Sequence, residues 1–233
     1  MNKKLTFEEF LPHINTNCDH YQQTSDPLCV TGPLTTGFEV LALHHTVQTM
    51  PPGNIFEIGS WFALSTITLA LTLKERFPDS NYKVITIDPH DHQHSMNTDP
   101  LTEYFRKAPE NFSIHDIFLS NIKKWEVENF VVNYREFSEK FDPSKLADIS
   151  MIFIDANHSE DAVGHDMRKY VPMLKQYGYL ILHDKNMVGV QQAVMKYKLE
   201  FPNSLIEAYD DIKREGMNPV VYNDLIYVFK KVG

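Results

Sequence analysis

Apolar residues are concentrated in five short runs, and the segments between the runs repeat apolar residues at helical intervals. Short runs that are apolar throughout are typical of strands buried on both faces, and helices between such strands indicate parallel βαβ units. The pattern therefore predicts an α/β fold with a doubly wound, mostly parallel sheet. The five runs are NIFEIGS (54–60), KVITIDP (83–89), NFVVNY (129–134), ISMIFID (149–155) and GYLILHD (178–184).

Two further apolar runs lie near the C-terminus, at 204–209 and 224–231, with a polar segment between them. Because no helical pattern separates them, we expect an antiparallel pair that completes a seven-stranded sheet with an antiparallel last strand. The first fifty residues have no strand-like run and end in a helical stretch before the turn signal PPGN. They predict an N-terminal helical cap over 1–52, which forms one structural domain together with 53–233.

The segment after the fourth run has apolar residues at helical intervals from Val163 to Leu174, and Gly178 follows as a stop signal. We expect a helix over this segment, with a kink or a restart at Pro172. Its polar residues Asp161, His165 and Asp166 are expected on a solvated face of that helix.

Composition and charge narrow the classes of function. The chain has 233 residues, 42% of them hydrophobic, and a formal net charge of −9. A nucleic-acid-binding face needs clustered Lys and Arg, and no basic run occurs, so we expect no nucleic-acid partner. No apolar stretch has the length of a signal peptide or a membrane span, so we expect no membrane partner and a cytoplasmic location. Cys18 and Cys29 are spaced like neither zinc ligands nor a disulfide framework, and we expect free thiols.

Polar groups follow the first two runs, at the carboxyl ends where a doubly wound sheet binds its ligands. The first run leads into EIGSWFALS, which has only Gly59 where a dinucleotide fingerprint requires three glycines. The second run ends in Asp88, a position from which a carboxylate can accept hydrogen bonds from ribose hydroxyls. An adenosine-type ligand without a pyrophosphate is consistent with both features. Gly59 is also explained by a tight turn, and Asp88 by a turn before Pro89.

The fourth and fifth runs end in DANHS (155–159) and HD (183–184). If these runs are neighbouring strands, their carboxylates and imidazoles meet at one rim of the sheet. Such a rim suits a hard divalent cation held by carboxylates, with His158 as a proton acceptor near neutral pH. Asp155 is also explained as a cap of the following helix, and His183 as a structural histidine.

Three alternating histidines, His90, His92 and His94, share one face if the segment is extended, as metal ligands can. No fourth ligand is set by spacing. The segment 90–120 has the character of a long insertion over an acceptor pocket, and we favour a substrate lid with solvated histidines over a zinc site.

From residue 54 to the C-terminus, this order of motifs resembles the class I S-adenosylmethionine-dependent methyltransferases, which have a Rossmann-like fold. The stretch EIGS with Ala63 and Ser65 is similar to the family's E-x-G-x-x-x-G-x-S loop, with Ala63 in place of the second glycine. DANHS and HD resemble the D-G-x-H-S and H-D signatures of bacterial small-molecule O-methyltransferases related to the macrolide-sugar enzymes.

The resemblance implies a cofactor, a metal and a set of site residues. S-adenosylmethionine is the implied cofactor, and a divalent metal, usually magnesium, is implied with Asp155 and Asp184 as ligands. His183 stands where some relatives have an acid, and we include it as a third candidate ligand. His158 and Asp155 are the candidate catalytic residues. The candidate cofactor-binding residues are Glu57, Gly59, Ser60, Ser65 and Asp88.

These observations predict an enzyme that transfers a methyl group to a hydroxyl of a small metabolite. Transfer to nitrogen stays open. One alternative is a nucleotide-dependent oxidoreductase on a similar sheet, which the missing glycines disfavour. Another is a non-catalytic S-adenosylmethionine-binding protein. The expected partner is a small-molecule acceptor, and a homo-oligomer is left open.

Overall fold

A computed structural model of the protein describes residues 5–15, 30–31, 37–91, 113–212 and 225–233. The strands are β1 (Ile14–Asn15), β2 (Val30–Thr31), β3 (Asn54–Ile58), β4 (Val84–Ile87), β5 (Val131–Tyr134), β6 (Ile149–Ile154), β7 (Leu174–Leu182), β8 (Leu205–Glu207) and β9 (Tyr227–Lys231). The α-helices are α1 (Phe7–Phe10), α2 (Gly37–Thr49), α3 (Leu64–Arg76), α4 (Ile114–Lys124), α5 (Glu160–Tyr170), α6 (Val188–Glu200) and α7 (Tyr209–Ile212).

Seven strands form one sheet in the order β5-β4-β3-β6-β7-β9-β8. Strands β3 to β7 pair in parallel, whereas β9 is antiparallel to both of its neighbours, β7 and β8. Every residue of β4 and β6 is buried, as expected for strands covered on both faces. The predicted fold class, a doubly wound and mostly parallel sheet with an antiparallel last strand, is confirmed.

Helices cover both faces of the sheet, because successive residues of a strand point to opposite sides. In β6, Met151 and Phe153 pack into a core with residues of α1 to α4, while Ile152 and Ile154 pack into a second core with residues of α5 and α6. The chain reverses its order of winding between β3 and β6, so the carboxyl ends of these two strands flank the crevice where such sheets bind ligands.

The helix after β6 is shorter than the sequence pattern predicts. Helix α5 ends at Tyr170, a 3₁₀ turn contains Pro172, and β7 has already begun at Leu174. The physical reason is the proline, which lacks a backbone N–H and restricts the residue before it. Gly178 lies within β7 and does not stop a helix.

One polar residue of α5 is not on a solvated face. Asp161 and His165 are exposed as expected, but Asp166 is only 3% exposed, so the prediction is wrong for this residue. Asp166 lies three and four positions from Val163 and Tyr170, which are both buried, and so it shares their side of the helix. Burial disfavours its charged form and raises the pKa of Asp166 to about 7.

The N-terminal segment contains α1 and α2, with the short parallel pair β1 and β2 in addition to the expected helices. The boundary at residue 52 stays a prediction. Within the described residues, no helix is both long and apolar enough to cross a membrane. Cys18, Cys29, His92 and His94 lie outside the described residues, as does most of the segment expected to cover the acceptor pocket.

Candidate active site

Four side chains meet at the carboxyl ends of β6 and β7: Asp155, His158, His183 and Asp184. One nitrogen or oxygen atom of each lies within 4.8 Å of the corresponding atoms of the other three. They meet because β6 and β7 are adjacent parallel strands, whose carboxyl ends share one edge of the sheet. We call these four residues the rim cluster.

Imidazole nitrogens and carboxylate oxygens alternate around the rim cluster. His183 Nδ1 lies 3.0 Å from Asp155 Oδ1 and 3.3 Å from Asp184 Oδ2. His158 Nε2 lies 3.5 Å and 3.2 Å from the same two oxygens. The side chain of His183 is 1% exposed, while the other three are about one fifth exposed. The cluster is therefore closed on the His183 side and open to solvent on the other.

The electrostatics favour the charged forms of Asp155 and His183. Burial favours the neutral form of Asp155, but the charge of His183 and the contacts with both histidines outweigh it and lower the pKa of Asp155 to about 2. For His183, burial lowers the pKa, while the charge of Asp155 and contacts with Asp155, Asp184 and Glu39 raise it well above its ordinary value. Asp155 is consequently ionised at physiological pH.

Glu39, which the sequence analysis missed, supports this cluster from α2. Its Oε1 lies 2.6 Å from His183 Nε2, and both side chains are almost fully buried. A signal was present in the sequence, because Glu39 is the single acid in the apolar stretch GFEVLALHH. Burying a carboxylate among apolar side chains costs free energy unless a cation or a hydrogen-bond donor pairs with it. The position of Glu39 within an apolar stretch therefore indicates that it has such a partner.

Two glycines hold the loop that carries Asp155 and His158. Gly59 has φ +87°, and a Cβ built on it would lie closer than 3.0 Å to the carbonyl oxygen of Asp155. A Cβ on Gly189, in the first turn of α6, would approach the carbonyl oxygen of His158 equally closely. Gly59 is thus required by the close approach of two backbones, whereas the sequence motif suggested room for a ligand. Its contact with a cofactor stays a prediction.

The structure excludes one explanation of Asp155, the helix cap. The helix that follows begins with Ser159 as its N-cap, and the Ser159 side chain accepts a hydrogen bond from the backbone N–H of Ala162. Asp155 does not cap this helix, and its carboxylate belongs to the rim cluster.

Asp88 holds the loop after β3 through both of its carboxylate oxygens. Oδ2 accepts hydrogen bonds from the backbone N–H groups of Ser60 (2.8 Å) and Trp61 (2.9 Å), and Oδ1 accepts one from His90 (2.6 Å). Oδ2 thus accepts two hydrogen bonds already, whereas Oδ1 accepts one and keeps a second lone pair for a ribose hydroxyl. The hydroxyl of Ser60 is buried without a hydrogen-bond partner among the described residues. Ala63 has φ +75°, in agreement with its place at a glycine position of the motif.

Glu57 and Ser65, two other candidate cofactor contacts, are buried beneath this loop. Glu57 Oε2 accepts a hydrogen bond from Thr66 Oγ1 at 2.5 Å. Burial raises the pKa of Glu57 to about 7, against the hydroxyls of Ser65, Thr66 and Thr86, which lower it. Both side chains face the protein interior here, and their contact with a cofactor stays a prediction.

His90 differs from the expected solvated histidine. It is 3% exposed, and its Nε2 lies 3.3 Å from Asn133 Nδ2 on β5. Burial, the largest effect, lowers the pKa of His90 to about 4 and so keeps the ring neutral. The expectation of solvated histidines is wrong for His90, because this residue follows β4 closely and lies against Asn133 of the neighbouring strand β5.

The doubly wound sheet, the glycine loop after β3 and the acidic residue after β4 define a Rossmann-like fold. A family model described as a methyltransferase domain matches residues 56–185, which is more than half of the chain. The chain therefore belongs to the methyltransferase domain family, and the resemblance to class I S-adenosylmethionine-dependent methyltransferases is confirmed. No match was found among curated protein sequences.

Solved structures with the same fold include several O-methyltransferases. NovP is 13% identical, with a TM-score of 0.60, over 83% of this chain and 79% of NovP. An O-methyltransferase from Bacillus cereus, in complex with S-adenosylhomocysteine, is 18% identical with a TM-score of 0.56, over 97% of this chain and 90% of the other. TomG from Streptomyces achromogenes, in complex with S-adenosylmethionine, is 15% identical with a TM-score of 0.55, over 85% and 82%. At such identities the likeness shows a shared fold.

Proposed function

We propose that the protein transfers the methyl group of S-adenosylmethionine to a hydroxyl of a small metabolite, with a divalent cation at the rim cluster. The observation that carries this proposal is the contact between the two motifs. The backbone of Gly59, in the candidate cofactor loop, lies directly against the backbone of Asp155 in the rim cluster. Methyl transfer is an in-line displacement at an activated carbon, so it requires a cofactor and an acceptor side by side in fixed orientation.

The cofactor assignment has two supports. The Bacillus cereus protein and TomG are O-methyltransferases whose structures contain S-adenosylhomocysteine and S-adenosylmethionine, respectively. In this chain, the loop after β3 offers one glycine and no pyrophosphate cradle, while Asp88 stands at the end of β4 with acceptor capacity left. Both features suit an adenosine ligand that lacks a pyrophosphate.

His158 is suited to accept the proton of the acceptor hydroxyl. Its side chain is 22% exposed on the open side of the rim cluster, and its Nε2 is buried next to Asp155 and Asp184 without a hydrogen bond among the described residues. A histidine so placed can act as a general base near neutral pH, and Asp155 and Asp184 orient its ring.

The remaining residues of the rim cluster fit a divalent cation. Asp155 and Asp184 supply carboxylate oxygens, and the buried Nδ1 of His183 makes no hydrogen bond within the described residues although it lies between them. When bound, a divalent cation would lower the pKa of an acceptor hydroxyl and fix its oxygen. The acids themselves orient the acceptor and keep His158 in place.

A thermal shift experiment separates this proposal from the two alternatives. S-adenosylhomocysteine should raise the melting temperature of the purified protein, and NAD should not, because only a ligand that binds the folded state stabilises it. The reverse result would favour the oxidoreductase. If S-adenosylhomocysteine binds but no methyl transfer occurs on a panel of hydroxylated small molecules, the protein is a non-catalytic cofactor-binding protein.

The proposal extends to partners and location. The net charge of −9 favours a small-molecule acceptor over nucleic acid, and we propose a cytoplasmic enzyme without a membrane partner. Self-association is left open, and the molar mass from light scattering will test it.

A further inference from the structure

His183 distinguishes the rim cluster from a set of carboxylates. Its Nδ1 stands 3.0 Å and 3.3 Å from one oxygen each of Asp155 and Asp184. Two ligands of one metal ion with bonds of about 2.1 Å are separated by ~3.0 Å when adjacent in an octahedral site and by ~3.4 Å in a tetrahedral one. Nδ1 therefore stands from each of these two oxygens at the separation of two ligands of one cation, and all the candidate ligand atoms lie within 4.8 Å of one another.

Glu39 fixes the direction of the His183 ring. Its Oε1 lies 2.6 Å from Nε2, the nitrogen opposite the rim cluster, and neither side chain is accessible to solvent. A carboxylate in this position holds the proton on Nε2, so a cation that displaces the Nδ1 proton meets the Nδ1 lone pair between Asp155 and Asp184. The ring is buried, and the ring of Phe153 lies edge-on to it with the centroids 6.5 Å apart.

An imidazole donor changes which cation the site prefers. Magnesium favours oxygen ligands and gives up its water reluctantly, whereas imidazole nitrogen suits the first-row transition metals. Two carboxylates with one imidazole match manganese, iron, cobalt or zinc better than magnesium. The cation that these ligands favour therefore differs from the magnesium expected from the sequence.

We propose that the rim cluster binds a divalent first-row transition metal ion in preference to magnesium, and that Glu39 is the positioning residue that presents Nδ1 of His183 to it. The inference deepens the proposed function by naming the class of cation at the same site. Metal binding is measurable without turnover, so the two proposals fail separately.

The experiment titrates the EDTA-stripped, full-length protein with Mn²⁺ and, separately, with Mg²⁺ near neutral pH. Free Mn²⁺ is followed by its electron paramagnetic resonance signal, and both ions are followed by calorimetry. We expect Mn²⁺ to bind at least about tenfold more tightly than Mg²⁺. Equal affinities, or tighter binding of Mg²⁺, would overturn the metal preference.

Substitutions at two positions test how this preference arises. Glu39→Leu should weaken Mn²⁺ binding by about 10- to 100-fold, the usual effect of losing such a supporting carboxylate. Glu39→Gln keeps an acceptor oxygen of the same shape and should retain most of the affinity. His183→Asp should reduce the ratio of Mn²⁺ to Mg²⁺ affinity, because the imidazole donor is replaced by oxygen. Asp166→Asn, at another buried acid that lies outside the rim cluster, is the control and should leave both affinities unchanged.

The outcomes distinguish positioning from a merely structural role. Equal losses of Mn²⁺ affinity in Glu39→Gln and Glu39→Leu, or no loss in either, would overturn the positioning role of Glu39. Selective Mn²⁺ binding without any thermal shift by S-adenosylhomocysteine would sink the proposed methyl transfer and leave this inference standing. A shift by S-adenosylhomocysteine without selective metal binding would do the reverse.

Discussion

Replacing Glu57 with glutamine should remove one part of the pH dependence of stability. Glu57 is fully buried, and this burial raises its pKa from an ordinary 4.5 to about 7 in the folded protein. The folded state therefore binds the proton of Glu57 more tightly than the unfolded state does. The contribution of Glu57 to the free energy of unfolding is largest below pH 4.5, falls as the pH rises toward 7, and is constant above that.

The size of this effect follows from the two pKa values. A shift from 4.5 to about 7 corresponds to about 3 kcal/mol, since one pKa unit is about 1.4 kcal/mol. Glutamine is neutral at every pH and retains an oxygen that can accept the hydrogen bond from Thr66 Oγ1. The stability of Glu57→Gln relative to the wild type should therefore rise by about 3 kcal/mol between pH 4.5 and a pH above 7.

Urea unfolding at a series of pH values measures this difference directly. The midpoints of the variant and the wild type should converge or cross as the pH changes, with unchanged m-values. Glu207→Gln, which removes an exposed acid from β8, controls for the loss of one carboxylate in general. If the pH profiles of Glu57→Gln and the wild type run parallel, Glu57 ionises in the folded protein as it does in the unfolded chain, and the argument from its burial is refuted.

Three further predictions concern the site. His158→Ala should lower kcat by at least about tenfold with little change in cofactor affinity, as expected for a lost general base. The control His165→Ala, at an exposed histidine, should leave kcat nearly unchanged. If the acidic limb of the pH profile of kcat persists in His158→Ala, another residue is the base. Asp88→Ala should weaken S-adenosylhomocysteine binding by about 1.5–3 kcal/mol in calorimetry. It should also lower the melting temperature, because three backbone N–H groups lose their acceptor. Unchanged affinity would show that Asp88 does not bind the cofactor. Gly189→Ala should lower the free energy of unfolding, measured in urea, by about 1–3 kcal/mol through overpacking. It should also lower kcat, because the new methyl group meets the carbonyl oxygen of His158. Wild-type stability and kcat in this variant would show that the loop carrying His158 tolerates displacement.

Strand positions and the meeting of the two motifs were predictable from the sequence. Fully apolar runs reveal buried strands because both faces of such a strand contact helices, and polar groups at their carboxyl ends then fall on one edge. That is why DANHS at 155–159 and HD at 183–184 were expected together, and the structure brings them within one cluster. The exact end of α5 was less predictable, because apolar residues continue at helical spacing past Pro172 into β7.

Side-chain environments across distant segments needed the tertiary structure. From residue 54 onward, the sequence by itself determined the order of the main strands and helices, the mostly parallel sheet and the residue types at its carboxyl edge, since these depend on local periodicity and on the chain's connections. Only the tertiary structure decided that Glu39 contacts His183, that Asp166 is buried, and that Gly59 is needed by the backbone of Asp155. Each of these contacts joins segments that are far apart in the sequence. Their distance and orientation depend on how the helices and strands pack, and the pattern of apolar residues along the chain does not contain that information.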